Sequence, residues 1–262
     1  MMIRKLLPAD EPELLAVLRR DRHNNLFLLG NLHSMGWDDP DLEYTGTYDG
    51  KRLTGVLMRF RANWTLCDAG GADFAEMATV VDAHPAGARA ITGEHSLVSR
   101  LWEHIRRYEI YADHPSYYCA LETLIPLSGV RPARRATEAD MAGLVALYAE
   151  AGEMARDEAG VRRLLAQGRF FIAEEGAQIV AAALTSSEAP DMAMIGGVFT
   201  PPHLRNRGYA TACMVALCRE LLYEGIEPCL FYDNPRAGSI YRRLGFRDIG
   251  MWRLLRLREK QG

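Results

Sequence analysis

Apolar and polar positions along the chain fall into two runs that open alike. Residues 2–7 are short and mostly apolar, Pro8-Ala9-Asp10 interrupts them, and Leu14, Leu15, Val17 and Leu18 recur at helical spacing. Residues 130–137, the acidic turn Glu138-Ala139-Asp140 and the stripe Met141, Leu144, Val145, Leu147, Tyr148 repeat that strand, turn and helix. In the first run, residues 24–32 predict a buried helix. Residues 44–48 and 53–60 predict a hairpin around Asp49-Gly50, because Asp-Gly favours the tight turns that join antiparallel strands. A strand over 64–67, a helix over 73–82, a strand over 90–93 and a helix over 96–108 follow.

In the second run, residues 170–184 predict a strand, a turn and a strand, and residues 192–200 a further strand. Pro201-Pro202 stop that ladder, since proline has no N–H to donate. Ala210, Met214, Leu217 and Leu221 then mark a helix beginning at Gly208, and residues 227–232 read as a strand. Asn234 suits a helix N-cap and Pro235 a first helical position, while Gly245 suits a left-handed close. Ala237, Ile240, Tyr241 and Leu244 share one face of that short helix, and Phe246 restarts an extended run. Two prolines and a glycine over residues 124–135 separate the runs. The expectation is two copies of one α/β fold, in domains 1–125 and 126–262.

Composition changes this picture little. The chain has 262 residues, 48% hydrophobic and 25% charged, enough for two cores. No apolar run reaches the ~18 residues of a membrane-spanning helix, and the N-terminus has no signal-peptide pattern. Five cysteines (67, 119, 213, 218, 229) without a C-x-x-C predict reduced, buried thiols in a cytoplasmic protein. The net charge of −3 and the absence of a basic run argue against nucleic-acid or membrane partners. Seven scattered histidines give no metal site, and no nucleophile-elbow, P-loop or dinucleotide-binding motif is present.

The chemistry concentrates in Arg205-Asn206-Arg207-Gly208-Tyr209-Ala210-Thr211. A helix N-terminus offers unpaired backbone N–H groups and a partial positive charge, which together attract phosphate. Gly208 admits an anion close to the backbone, Ala210 keeps the approach free of bulk, and Arg205 and Arg207 add forked donors. These residues imply a ligand carrying a diphosphate.

Arg205-x-x-Gly208-x-Ala210 resembles the Q/R-x-x-G-x-G/A signature with which GCN5-related N-acetyltransferases hold the pyrophosphate of acetyl-CoA. Val198-Phe199-Thr200-Pro201 stands where that family has a splayed strand pairing with pantetheine, and residues 234–246 resemble its N-x-x-A-x-x-x-Y-x-x-x-G-F ending. The resemblance is specific over about residues 130–258 and rests on element order alone over 1–125. It implies two tandem acyl-CoA N-acyltransferase folds, each a mixed, mostly antiparallel sheet flanked by helices. The C-terminal copy resembles glycine N-acyltransferases, and the N-terminal copy reads as degenerate. At the corresponding turn the first copy has Asp68 and Asp73 and no arginine, and carboxylates there repel a pyrophosphate. Residues 1–125 carry 13 basic and 18 acidic side chains against 18 and 16 in residues 126–262, which agrees with one CoA site, in the second copy.

The resemblance further implies that acetyl-CoA, as co-substrate, contacts Val198, Phe199, Thr200, the loop Arg205 to Thr211, Asn234, Ala237 and Ser239. It makes Tyr241 the acid that protonates the leaving thiolate; read from pattern alone, Tyr241 is equally a core tyrosine. Glu153 is the first candidate for the base, ahead of Glu174 and Glu188, although each also reads as a solvated surface acid. The predicted activity is transfer of an acetyl or short acyl group from CoA to a primary amine of a small molecule or amino acid, by a monomer or homodimer. The rival is a non-catalytic acyl-CoA sensor or scaffold.

Overall fold

The computed structural model describes residues 2–261, the side chain of Glu153 excepted. In chain order the elements are β1 (Met2–Lys5), α1 (Glu11–Leu18), α2 (Leu26–Met35), β2 (Leu42–Asp49), β3 (Arg52–Phe60), β4 (Asn63–Asp68), α3 (Phe74–Ala83), β5 (Ala90–Glu94), α4 (His95–Trp102) and β6 (Tyr108–Ala120). There follow β7 (Arg134–Arg135), α5 (Met141–Ala149), α6 (Glu158–Gln167), β8 (Phe170–Glu175), β9 (Gln178–Glu188), β10 (Met192–Phe199), α7 (Tyr209–Tyr223), β11 (Glu227–Tyr232), α8 (Pro235–Leu244) and β12 (Arg247–Glu259).

The chain forms two compact units, Met1–Tyr117 with Gly250–Gly262, and Tyr118–Ile249. Within the first, β1-β2-β3-β4 pair antiparallel and β4 pairs parallel with β5; α3 makes the crossover. Within the second, β7-β8-β9-β10 pair antiparallel and β10 pairs parallel with β11; α7 makes the crossover. The same ladder is thus built twice, each time as a mixed, mostly antiparallel sheet with helices.

The repeat extends to side chains. Arg4 grips Asp10 with two hydrogen bonds of 2.7 and 2.8 Å, and Arg134 grips Asp140 with two of 2.9 and 2.7 Å. In both cases the arginine leaves a first strand and the aspartate closes the turn before a first helix, accepting a backbone N–H at 2.8 Å from Leu7 or Thr137. Paired charges at this corner fix the entry of the helix.

The core of the first unit gathers Trp64, Leu66, Met77, Val81, Ile91, Val98 and Leu101. In the second unit, alternation along β8 sends Phe171 and Ala173 into a cluster with Cys213, Leu217 and Leu221 of α7. Phe170 and Ile172 point into another, with Leu144 and Tyr148 of α5 and Val161 of α6. All five cysteines are buried and free of disulfides. Among the described residues, no helix is long and apolar enough to cross a membrane.

One sequence expectation is corrected. The helix expected over 96–108 ends at Trp102, and β6 begins at Tyr108. Val98, Leu101, Ile105 and Tyr108 are all buried in one core and keep helical spacing by coincidence, the last two from a turn and a strand. The first compact unit also takes in Gly250–Gly262. There β12 pairs antiparallel with β5 from Trp252↔Glu94 to Arg256↔Ala90, and Leu255 and Leu257 enter the first unit's core.

Candidate functional site

The site is built where two strands of the second unit part. β10 and β11 pair in parallel from Met192↔Glu227 to Ile195↔Leu230 and no further. Against β9, β10 continues to Gly196↔Leu184 and resumes at Phe199↔Ala182, so three steps on one strand meet two on the other. That extra residue is a β-bulge, which leaves Gly197 and Val198 outside both ladders. Gly197 has φ +57°, and a Cβ there would lie 2.7 Å from Leu184 Cδ2 and 3.0 Å from the Tyr148 hydroxyl. Only glycine fits without strain. From α5, the buried Tyr148 donates its phenolic hydrogen to the Gly197 carbonyl oxygen, and burial pushes that phenol's pKa up.

Parallel strands end on the same side, so the loops after β10 and β11 bring the N-termini of α7 and α8 to one edge. The loop before α7 is shaped by Pro201 and a short 3-10 turn, Pro202–Leu204. Asn206 takes a left-handed φ of +62°, a conformation asparagine tolerates better than most residues. Gly208, at φ +84°, is the N-cap of α7 and supplies no capping side chain. It is exposed, with open space where a Cβ would stand. The first-turn amides of a fifteen-residue helix therefore face an open, unobstructed position.

The arginines are held from behind. Arg205 donates from Nε to the Thr200 carbonyl at 3.1 Å, which aims its guanidinium. Arg207 lies 3.6 Å from Glu175, an exposed pair of little energetic weight. Arg131 donates from Nε to the Arg207 carbonyl at 2.7 Å and lays its guanidinium 4.6 Å from the centroid of the Tyr209 ring. By tying the loop carbonyl back, it leaves the amides to the open side. Thr200 is buried, and its hydroxyl has no hydrogen-bond partner among the described residues. An uncapped helix, two arginines and an orphaned buried hydroxyl fit a diphosphate-bearing ligand.

On the other arm, Asn234 caps α8 by accepting the Arg236 N–H at 2.9 Å, so its carboxamide is already engaged. Ala237 is half-buried, and the exposed Ser239 hydroxyl donates to the Arg236 carbonyl at 2.7 Å. Gly238 lies so close to Tyr232 that a Cβ would be 2.4 Å from its ring, which seats α8 against β11. Tyr241 packs its ring 5.9 Å from those of Tyr232 and Phe246. Burial, reinforced by Cys119 and Asp233, pushes its phenol up to about 12. It is half-buried and packs against the second unit's core.

The base candidates fare differently. Glu153 falls in a 3-10 turn, Gly152–Met154, just after α5, and its side chain lies outside the described residues. Glu174 is bonded by Arg134 at 2.6 and 3.0 Å, and Glu188 by Arg169 at 3.2 Å and by Thr185 at 2.6 Å. Both are engaged in structural ion pairs. Sequence reasoning missed Tyr148 and Arg131. A tyrosine in the aliphatic stripe of α5 was the available signal for Tyr148, since a buried phenol needs an acceptor; Arg131, in a loop, gave none.

The first unit has the corresponding turn after β4, and there the protein supplies its own anion. Asp68 Oδ1 accepts the N–H groups of Gly70, Gly71 and Ala72 at 2.9, 2.9 and 3.0 Å, while Oδ2 meets Arg100 at 3.2 Å. Burial opposes ionisation, yet these donors hold the carboxyl below its ordinary range. Asp73 caps α3 through the Glu76 N–H at 3.1 Å.

Known proteins resemble this chain in two ways, over one stretch by sequence and over nearly all of it by fold. Residues 160–255 match the family model for GNAT acetyltransferases. The match runs from within α6 to within β12 and is less than half of the chain, but it contains the bulge, the loop, α7 and α8. Solved structures resemble nearly all of the chain. A Drosophila protein superposes with a TM-score of 0.72 at 12% identity, covering 97% of this chain and 98% of its own. A tandem GNAT protein from the clavulanic acid biosynthesis pathway does so at 0.63 and 12%, covering 100% and 99%. A GCN5-related N-acetyltransferase from Kribbella flavida gives 0.61 and 18%, covering 92% and 95%. At these identities the likeness shows the fold, which is the GNAT fold. No curated protein matches the sequence.

Proposed function

We propose that the second unit transfers an acetyl or other short acyl group from CoA to a primary amine of a small molecule or amino acid. The observation that carries this reading is the conjunction, inside the GNAT-matching stretch, of the Gly197 bulge with the uncapped N-terminus of α7. The family match supports acyl transfer; the fold supports the placement. The amides from Gly208 onward, with Arg205, Arg207 and Thr200, would hold the diphosphate. The backbone of Val198, unpaired in both ladders, would line the pantetheine and polarise the thioester carbonyl. CoA supplies the activated acyl group and a thiol leaving group. The amine nitrogen attacks the carbonyl carbon and the C–S bond breaks. Sulfur takes a proton from Tyr241, and the nitrogen sheds one, so that the products are an amide and a free thiol. Glu153 is the proposed acceptor of the nitrogen's proton, on the turn that follows the helix of Tyr148.

We assign no CoA site to the first unit, because Asp68 occupies the amides that would receive a phosphate. The test is thiol release from acetyl-CoA against a panel of amino acids, polyamines and amino sugars. Release with one amine class supports the reading. Bound acetyl-CoA with no release across the panel would overturn amine transfer and favour a sensor.

A further inference from the structure

The first unit holds a pocket of about 910 Å³ that is lined by four arginines, Arg59, Arg61, Arg89 and Arg256, with a single carboxylate, Asp41. It lies at the start of the β4–β5 parallel pair, where Asn63 meets Ala90 and Ala90 meets Arg256. The Asp68 turn and α3 are at the other end of β4, so this pocket does not correspond to the CoA site of the second unit.

The four arginines are poorly neutralised. Arg61 reaches Asp41 at 3.2 Å. Arg59, Arg89 and Arg256 have no carboxylate within ion-pair distance among the described residues. Arg59 is only 7% exposed; its two terminal nitrogens donate to the Arg61 and Pro40 carbonyls at 3.0 and 3.2 Å, and its buried Nε has no partner. A buried guanidinium without a counter-ion is costly, and such a group marks a place where an anion would be well received. Arg61 is also held at φ +56°, a left-handed conformation unusual for a long side chain, in the tight β3–β4 turn where glycine or asparagine would sit more easily. At the rim Tyr111 is 54% exposed and offers an aromatic face.

We propose that this pocket binds a small molecule carrying two or more phosphate groups. Planar guanidinium forks match phosphate oxygens, and four of them against one acid need more than one negative charge. A concave pocket in a domain whose other charges are predominantly acidic favours a compact anion over a long polyanion, which the surrounding surface would repel. The shared chemistry is the phosphate chain, whether it comes as an inorganic oligophosphate or as a nucleotide stacked on Tyr111.

The test is calorimetric titration of the full chain with inorganic triphosphate and with ATP. The comparison is between the wild type, the Arg89→Ala/Arg256→Ala double variant and Arg205→Ala. Arg89 is exposed and Arg256 half-buried, so their truncation leaves the core untouched; Arg89→Glu alone is the second variant. The expected result is one triphosphate site weakened about tenfold for each arginine removed. Binding should survive Arg205→Ala, which separates this pocket from the loop before α7. ATP binding more tightly than triphosphate, with the difference abolished by Tyr111→Ala, would identify a nucleotide; equal affinities would identify the phosphate chain alone as the determinant. Absence of binding by both probes, or binding indifferent to Arg89 and Arg256, would overturn the proposal.

Discussion

Tyr148 and Gly197 meet through one hydrogen bond, from the phenol on α5 to the carbonyl oxygen of the residue at the bulge in β10. That carbonyl has no place in either neighbouring ladder, so the phenol satisfies it and holds the bulge open. Tyr148→Phe deprives the half-buried Gly197 carbonyl of its donor, at about 1 kcal/mol of stability. Gly197→Ala forces a Cβ into the left-handed region and against Leu184, at about 1–3 kcal/mol. Both variants should lose turnover more than acetyl-CoA affinity, because the diphosphate loop is untouched; chemical denaturation and steady-state kinetics read the two effects. Unchanged kinetics in both would remove the bulge from the mechanism.

Tyr241→Phe keeps the ring between Tyr232 and Phe246 and deletes only the hydroxyl. If that hydroxyl protonates the leaving sulfur, kcat should fall by about 10²–10⁴ with acetyl-CoA affinity nearly constant. Because burial holds the phenol near 12, it stays protonated through neutral and mildly alkaline pH. The wild-type rate should then show no loss from Tyr241 ionisation below about pH 10. Wild-type turnover in the phenylalanine variant would make Tyr241 a packing residue.

Asp10 and Asp140 provide matched acid sensors, one in each unit. Arg4 and the Leu7 N–H hold Asp10 down to about 2, and Arg134 with the Thr137 N–H does the same for Asp140. A carboxyl whose folded value is depressed contributes stability that is complete above its unfolded value of about 3.9 and lost as pH falls toward the folded value. Thermal melts should therefore show both units losing stability between about pH 5 and pH 2. Asp140→Asn should lower stability at neutral pH and flatten this dependence. An acid transition as steep in that variant as in the wild type would contradict the assignment.

Much of the second unit was legible because its signals are local. Pro201-Pro202, Gly208 and the 210–221 stripe placed the end of β10 and the start of α7, and Asn234, Pro235 and Gly245 behave as cap, first residue and left-handed close of α8. The Asp49-Gly50 turn and the doubled strand–turn–helix opening were likewise readable from short stretches. What escaped depends on distant partners. The joining of β12 to β5 is decided by contacts more than 150 residues apart, such as the 2.6 Å hydrogen bond from Trp252 to Thr92. The role of Asp68 was foreseen only as repulsion; the structure shows it occupying three amides itself. Arg131 and Tyr148 act through backbone carbonyls of Arg207 and Gly197, which no side-chain motif encodes. The pocket arginines, spread from Arg59 to Arg256, form no run in the sequence.

Calorimetric titration with acetyl-CoA of the wild type beside Gly208→Asp reads whether acyl-CoA binds at the loop before α7. The aspartate would combine strain at φ +84° with a negative charge at the open helix N-terminus. The expected result is tight acetyl-CoA binding in the wild type and loss of at least about a hundredfold in affinity in the variant, as expected when several charge-assisted contacts are lost together. Tight binding retained by Gly208→Asp, or a wild type that binds no acetyl-CoA, would contradict it.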